Sequence, residues 1–97
     1  MNLPCAYRSF PIGNAVNPPY VLYFYENNDD VMADNSNYVK VENLVIELYS
    51  ENKDFVSEAT VETTLKSNHI TYTKNEEYID AITMYRITYE TEVVING

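Results

Sequence analysis

The chain has 97 residues and a mass of 11.2 kDa, which gives room for one domain with a single hydrophobic core. Hydrophobic residues make up 45% and charged residues 22% of the sequence, as in ordinary globular proteins, so we expect no wholesale disorder. Fifteen acidic against six basic residues give a net charge of −9. This balance argues against binding DNA or RNA through phosphates and against docking onto an anionic membrane.

Cysteine and histidine occur once each, as Cys5 and His69. A single cysteine excludes an intramolecular disulfide and a cysteine-cluster zinc site, and a single histidine excludes two-histidine metal motifs. With two glycines the chain has no glycine-rich phosphate-binding loop. From the cysteine, histidine and glycine counts together we expect no metal and no cofactor. We expect no signal peptide, and the longest apolar stretch, residues 20–25, is far too short to span a membrane. We expect a protein of a reducing cytoplasm.

The N-terminal part, residues 1–19, is interrupted by prolines, which favours extended chain and loops, with residues 5–10 as a short edge strand. Residues 20–25 are apolar on both alternating faces. This pattern predicts a strand covered by a helix on one side and by a loop or a neighbouring subunit on the other. Residues 26–38 are rich in Asn and Asp and predict a long exposed loop.

Residues 38–50 predict the clearest strand, with a bulge or kink at Glu42 and Asn43, where the apolar alternation changes face. One main helix is predicted at about residues 52–67, capped by Asn52 or Ser50. Strands are predicted at residues 69–74 and 81–94, joined by a wide turn over residues 75–80. We therefore expect a single domain over residues 1–97, an α+β two-layer sandwich. Its mostly antiparallel sheet of four to five strands would carry the helix on one face.

The loop at residues 26–38 is the first candidate site. Val31 and Met32 are apolar residues with no evident place in it, so they either tuck onto the domain or insert into a partner. Asp29, Asp30 and Asp34 lack the order of a calcium-binding EF-hand, so calcium is a minor alternative to a solvated loop. The candidate interface residues are Val31, Met32, Asp34, Asn35 and Tyr38.

The remaining polar residues give no sign of catalysis. Glu76 and Glu77, with Asp80 nearby, resemble an acid–base pair, but neighbours on a strand face opposite ways and do not share a site. His69 lies at the predicted junction between helix and strand, where a histidine interacts favourably with the helix dipole. We expect no catalytic residues and no enzyme.

Ten tyrosines are the most unusual feature of the composition. One sheet with one helix cannot bury so many rings, so some must face water or a partner. Because arginine is not interleaved with them, they suit a protein interface better than single-stranded nucleic acid. Seven fall on predicted strands: Tyr20, Tyr23, Tyr25, Tyr49, Tyr72, Tyr85 and Tyr89.

Short aromatic motifs spread over about residues 5–90 resemble one family. They are Cys5-Ala6-Tyr7 with Phe10-Pro11, Pro18-Pro19-Tyr20-Val21-Leu22-Tyr23, Ala33-Asp34-Asn35 before Tyr38, Ile46-Glu47-Leu48-Tyr49 with Lys53-Asp54, and Glu77-Tyr78-Ile79 before Met84-Tyr85 and Tyr89-Glu90. The pattern resembles the small head–tail connection proteins, the tail terminator or tail completion proteins, of tailed phages and prophages of Gram-positive bacteria.

This resemblance implies a structural virion protein with an α+β fold and no catalytic or cofactor-binding residues. Its subunits would form a homo-hexameric ring that caps the tail tube and joins it to the head through head-completion proteins. DNA would pass through an acidic lumen without being bound specifically, and no membrane would be involved. The protein would be found in the host cytoplasm during assembly and then in the virion. The N-terminal helix usual in such proteins has no counterpart in residues 1–4.

Two alternatives stay open. A head-completion or stopper protein of the phage neck belongs to the same class and has no distinguishing sequence feature. From another class, an acidic inhibitor that mimics DNA would array its carboxylates along one elongated face. The sequence places the acidic residues mainly in loops and on the helix, which favours the neck protein.

Overall fold

The structure is a computed structural model, and it describes residues 3–10, 16–26 and 39–96. These residues form five strands and one helix, in the order β1 (Cys5–Tyr7), β2 (Tyr20–Glu26), β3 (Val39–Ser50), α1 (Phe55–Ser67), β4 (Tyr72–Ile79) and β5 (Met84–Asn96). The expected α+β class, with one main helix and one sheet, is confirmed.

The five strands form one sheet with the spatial order β1-β2-β3-β5-β4, so the two longest strands lie inside it. β3 pairs antiparallel with both β2 and β5, and β4 pairs antiparallel with β5. The short edge strand expected near the N-terminus is present as β1, which runs parallel to β2. The sheet is therefore mixed, with one parallel pair at its edge.

The core lies between α1 and one side of the sheet, here called the helix side; the opposite side is called the far side. Val21, Leu48 and Ile87 lie next to one another on β2, β3 and β5. Val61 and Leu65 of α1 pack against them, and all five side chains are buried together with Tyr89. Each buried aliphatic side chain contributes about 1.5–3 kcal/mol to folding, so this layer holds the helix on the sheet.

α1 begins at a different cap from the one expected. Asp54 is the N-cap: its Oδ1 accepts a hydrogen bond from the backbone N–H of Ser57 at 3.0 Å, and its Oδ2 accepts from the Ser57 hydroxyl at 2.9 Å. The expected caps were wrong for a structural reason. Ser50 is the last residue of β3, buried and paired with Tyr85, while Asn52 lies two residues before the position whose side chain reaches the first turn.

α1 ends in a Schellman motif centred on His69. The backbone N–H of His69 donates to the Lys66 carbonyl at 3.0 Å, and that of Ile70 donates to the Leu65 carbonyl at 2.9 Å. His69 has a φ of 57°, in the left-handed region that glycine adopts most readily. The expected position of His69 just after the helix is confirmed, and its role there is to reverse the chain.

The strand predicted at residues 69–74 is wrong in its bounds, because β4 runs from Tyr72 to Ile79 and the turn covers residues 80–83. Asn75, Glu76 and Glu77 have low strand propensity, which suggested a turn. Pairing with β5 along its whole length overrides that propensity. The two glutamates also form ion pairs, Glu76 with Lys53 and Glu77 with Arg86.

The bulge expected at Glu42 and Asn43 is absent, since β3 and β5 stay in register from Val39 to Ser50. Apolar residues occur on both faces of β3 because this strand lies inside the sheet. Leu48 is buried under the helix, and Val45 is buried on the far side with 3% of its surface exposed. Both alternating faces of an interior strand can thus be apolar without a change of register.

Candidate interaction surfaces

The interface residues predicted from the sequence lie outside the described part of the chain: Val31, Met32, Asp34, Asn35 and Tyr38. The same holds for Asp29 and Asp30 of the calcium alternative and for residues 27–38 of the expected loop, whose first position, Glu26, is the last residue of β2. These expectations stay predictions, and the surfaces below are built from the described residues alone.

The described residues contain no group of three or more His, Cys, Asp or Glu placed to hold a metal ion. Glu76 and Glu77 face opposite ways, as expected for neighbours on a strand, because they contact Lys53 and Arg86 on different sides of the sheet. Cys5 is exposed on β1. No helix within the described ranges is long and apolar enough to cross a membrane.

A cluster of charges lies between α1 and β4. Glu58 is only 3% exposed. Its Oε2 contacts the Nζ of Lys53 at 2.8 Å, and its Oε1 contacts the Nζ of Lys74 at 2.7 Å. Lys74 also contacts Glu62 Oε2 at 2.8 Å, and the same oxygen accepts a hydrogen bond from the Tyr89 hydroxyl at 2.8 Å. We call Lys53, Glu58, Glu62, Lys74 and Tyr89 the inner charge cluster.

The pKa values of the inner charge cluster are shifted so that its glutamates stay ionised and its lysines and tyrosine stay protonated. Burial raises the pKa of Glu58, but hydrogen bonds from Lys53 and Lys74 outweigh it and bring that pKa below the ordinary 4.5. The hydrogen bond from Lys74 lowers the pKa of Glu62, while the hydrogen bonds to Glu58 and Glu62 raise that of Lys74. Burial, and then the hydrogen bond to Glu62, raise the pKa of Tyr89. All five groups keep one protonation state near neutral pH, which suits structure rather than acid–base catalysis.

The solvent-facing surface of α1 is uncharged from Phe55 to Thr64, and the exposed Lys66 follows in the last turn. Phe55 is 72% and Val56 is 78% exposed, the largest exposures among the large hydrophobic residues that the structure describes. A usual surface helix buries apolar residues and exposes charged ones, but α1 buries Glu58, half-buries Glu62 and exposes apolar side chains. The outer face of α1 is defined by Phe55, Val56, Ala59, Thr60, Thr63 and Thr64.

Tyrosines cluster at both edges of the sheet. At the β1 edge, Tyr7 packs edge-on against Tyr23, with ring centroids 5.4 Å apart, and lies 6.3 Å from Tyr25. At the β4 edge, Tyr78 packs against Tyr85 at 5.0 Å. Tyr7 is 46% and Tyr78 is 49% exposed, which confirms that the domain leaves some tyrosines unburied. We call these two groups the β1-edge tyrosines and the β4-edge tyrosines.

An aromatic group also lies on the far side of the sheet. Tyr20 and Tyr49 stack with ring centroids 5.2 Å apart, and Phe10 packs edge-on against Tyr20 at 5.4 Å. The Tyr49 hydroxyl donates to Glu47 Oε1 at 3.0 Å, and Arg86 contacts Glu47 Oε2 at 3.8 Å. Most of this group is covered by its own neighbours, so it contributes to packing more than to an open surface.

The acidic residues are distributed differently from the expectation. Within the described ranges only Glu58 and Glu62 lie in the helix, whereas seven glutamates lie on strands: Glu26, Glu42, Glu47, Glu76, Glu77, Glu90 and Glu92. The expected concentration in loops and on the helix is therefore wrong for this part of the chain. By strand register, five of the seven share the far side: Glu26, Glu47, Glu77, Glu90 and Glu92.

Comparison with known proteins identifies no relative. No protein-family model matches the chain, no curated protein matches it, and no solved structure matches it. The resemblance to phage head–tail connection proteins therefore stays an expectation drawn from the motifs.

The outer face of α1 was missed by the sequence reasoning, although a signal for it was present. Phe55, Val56 and Ala59 fall on one arc of the helix, and Val61 and Leu65 fall on another. The sequence alone does not say which arc is buried. In the structure Val61 and Leu65 pack in the core, and Lys53 and Lys74 pair with Glu58.

Proposed function

We propose that the chain is a ring-forming structural subunit of the phage head–tail junction, specifically a tail terminator that caps the tail tube and joins it to the head. The motif resemblance over about residues 5–90 and the α+β sandwich support this reading. The observation that carries it is the pair of exposed tyrosine clusters, because they lie at opposite edges of one sheet.

A closed ring needs a heterologous contact, in which one surface of a subunit binds a different surface of the next. β1 and β4 are the two edges of the described sheet, and they run in opposite directions. Around a ring axis parallel to the strands, β4 of one subunit would meet β1 of the next in an antiparallel arrangement. β1 has only three residues, so the flanking tyrosines would supply most of the contact.

The charge of the chain supports a role around passing DNA. A net charge of −9 repels the phosphate backbone, so a ring of such subunits lets DNA slide through its lumen without specific binding. The partners in this proposal are other copies of the chain, the tail tube and head-completion proteins. The protein would act without a cofactor or enzymatic activity, first in the host cytoplasm and then in the virion.

A second candidate, an acidic inhibitor that mimics DNA, has one observation in its favour: five glutamates share the far side of the sheet. Against it, Glu47 and Glu77 contact Arg86, which reduces the charge of that array. A head-completion or stopper protein would share the ring and differ in its partner. Binding to tail tubes would favour the terminator over both.

The proposal is tested by removing one exposed ring at each sheet edge, with Tyr7→Ser and Tyr78→Ser combined. Native mass spectrometry at increasing protein concentration should show a closed ring for the unmodified chain and smaller species for the double variant. Phe55→Ser is the matched control, since it removes an exposed aromatic ring that belongs to neither edge cluster and should leave the assembled ring of subunits intact. A ring that survives the double substitution contradicts the proposed contact.

A further inference from the structure

The outer face of α1 has the composition of a contact surface. Its residues carry no formal charge over more than two helical turns, from Phe55 to Thr64, in a chain with a net charge of −9. Large exposed apolar side chains in a contiguous patch mark interaction sites more often than they mark ordinary surface. The charges that would normally occupy this face belong to Glu58 and Glu62, which point toward the sheet.

Covering this face would cost little in lost hydrogen bonds to water. The Thr60 hydroxyl donates to the Val56 carbonyl at 3.0 Å, and the Thr64 hydroxyl donates to the Thr60 carbonyl at 2.9 Å. These two donors are already satisfied within the helix, as threonine allows at such positions. Ala59 lies near the middle of the face and has no side chain beyond Cβ, so another helix can approach closely there.

Along the chain, the outer face of α1 is flanked by exposed residues of opposite charge. Glu51 precedes the N-terminus of α1 and Lys66 lies in its last turn, and neither has an ion-pair partner among the described residues. Lys53, which lies near Glu51 in the sequence, already forms ion pairs with Glu58 and Glu76. A second α1 in antiparallel orientation would place its Lys66 near Glu51 and its Glu51 near Lys66. The two helix dipoles would also lie antiparallel to each other, which is favourable.

We propose that the outer face of α1 binds the same face of a second copy of this chain, with the two helices antiparallel about a two-fold axis. The chemistry is self-complementary: an uncharged centre meets an uncharged centre, and each charged end meets its opposite. A two-fold contact closes after two copies and leaves both sheet edges free. The inference therefore goes beyond the proposed ring, whose contact lies at those edges, and either can hold without the other.

The central test places a charge in the middle of the face with Ala59→Glu. In the dimer two carboxylates would meet near the two-fold axis, so we expect the dimer dissociation constant to rise at least about tenfold. The control is Ala81→Glu, which makes the same chemical change at an exposed alanine in the turn between β4 and β5. Sedimentation velocity over micromolar to millimolar concentrations gives the dissociation constants, and circular dichroism confirms that both variants are folded.

A charge exchange tests the antiparallel orientation. Glu51→Lys and Lys66→Glu should each weaken the dimer when made singly, because each brings like charges together. The double variant should recover the affinity of the unmodified chain, since the pairs are restored with their signs reversed. Single variants that weaken the dimer without recovery in the double variant would contradict the antiparallel arrangement.

The results also separate this contact from the ring. Ala59→Glu should weaken the dimer and leave any closed ring, whereas the combined Tyr7→Ser and Tyr78→Ser variant should disrupt the ring and leave the dimer. An unmodified chain that shows no dimer at any concentration overturns the inference. A dimer that tolerates Ala59→Glu as well as it tolerates Ala81→Glu overturns it too.

Discussion

Glu58 shows how single residues organise this fold. An ionised carboxylate with 3% of its surface exposed is costly unless it is paired and hydrogen-bonded. Here each of its oxygens contacts a lysine, Lys53 before the helix and Lys74 on β4. The two lysines join α1 to β4 and to the segment before the helix, because Lys53 also contacts Glu76 and Lys74 also contacts Glu62. The helix is thus tied to the outer strand by charge as well as by apolar packing.

Removing one of these cations should destabilise the protein. Lys74→Met leaves Glu58 with one partner and Glu62 without a cation, so we expect a loss of about 1–3 kcal/mol in the free energy of unfolding. In the monomer, Lys66→Met removes the same charge from an exposed position in α1 without an ion pair and should change stability by no more than about 0.5 kcal/mol. Urea denaturation measures both. Equal effects of the two substitutions would mean that the cluster contributes nothing.

The cluster should also make stability depend on acid pH. The pKa values of Glu58 and Glu62 lie below the ordinary 4.5 in the folded protein, so the unfolded chain takes up protons first as the pH falls. The stabilisation is fully present above the unfolded pKa of 4.5 and is lost as the pH falls below it and through the lower folded pKa values. The raised pKa of Lys74 has the opposite sign and matters only in alkali, above 10.5.

Urea midpoints measured across the acid range test this assignment. Glu62→Gln removes one of the titrating groups and should flatten the loss of stability, whereas Glu51→Gln, at an exposed carboxylate without an ion pair, should leave the profile unchanged. If Glu62→Gln and the unmodified chain lose stability over the same range and by the same amount, the acid sensitivity arises elsewhere.

At the scale of elements, the C-terminal end of α1 places a histidine in a backbone conformation that favours glycine. The Schellman motif usually has glycine at the position that His69 occupies, and a residue with a Cβ is strained at a φ of 57°. His69→Gly should therefore raise the free energy of unfolding by about 0.5–1 kcal/mol. Ser67→Gly, inside the last helical turn, should lower it by a similar amount, about 0.5–1 kcal/mol. Thermal or urea denaturation measures the stability of both variants. A His69→Gly variant that is less stable than the unmodified chain would contradict the structural role of His69.

Much of the secondary structure could be predicted because the apolar pattern is local. The strand at residues 20–25, the long strand ending at Ser50, the helix and the last strand were all expected. β4 was misplaced because Asn75, Glu76 and Glu77 are stabilised by partners distant in sequence, which local propensity does not include. The wrong N-cap prediction has the same cause, since Ser50 pairs with Tyr85 in the sheet and is not available to cap the helix.

The candidate surfaces were less predictable than the fold. That tyrosines would remain exposed followed from their number, but which ones did not, because exposure depends on the strand order. Tyr7 and Tyr78 are exposed because their strands are edges, whereas Tyr89 is buried on an interior strand. The outer face of α1 depends on which arc of the helix meets the sheet. That choice involves residues outside the helix, among them Lys53 and Lys74, which pair with Glu58.

At the scale of the whole molecule, the described residues present two kinds of contact that do not overlap. The edge tyrosines lie at opposite ends of the sheet and suit a head-to-tail contact, which repeats around a ring. The outer face of α1 lies on the other layer and suits a two-fold contact. If both form, rings of six subunits would associate through their helices into larger assemblies, and Ala59→Glu would limit them to single rings.

The most direct test of the central claim is native mass spectrometry across a wide range of protein concentration, with and without phage tail tubes. The account predicts a closed assembly of defined stoichiometry, six subunits or a multiple of six, that forms at high concentration or on the tubes. A chain that stays monomeric or dimeric at every concentration, and that also fails to bind the tubes, would contradict the proposal that it forms the ring at the head–tail junction.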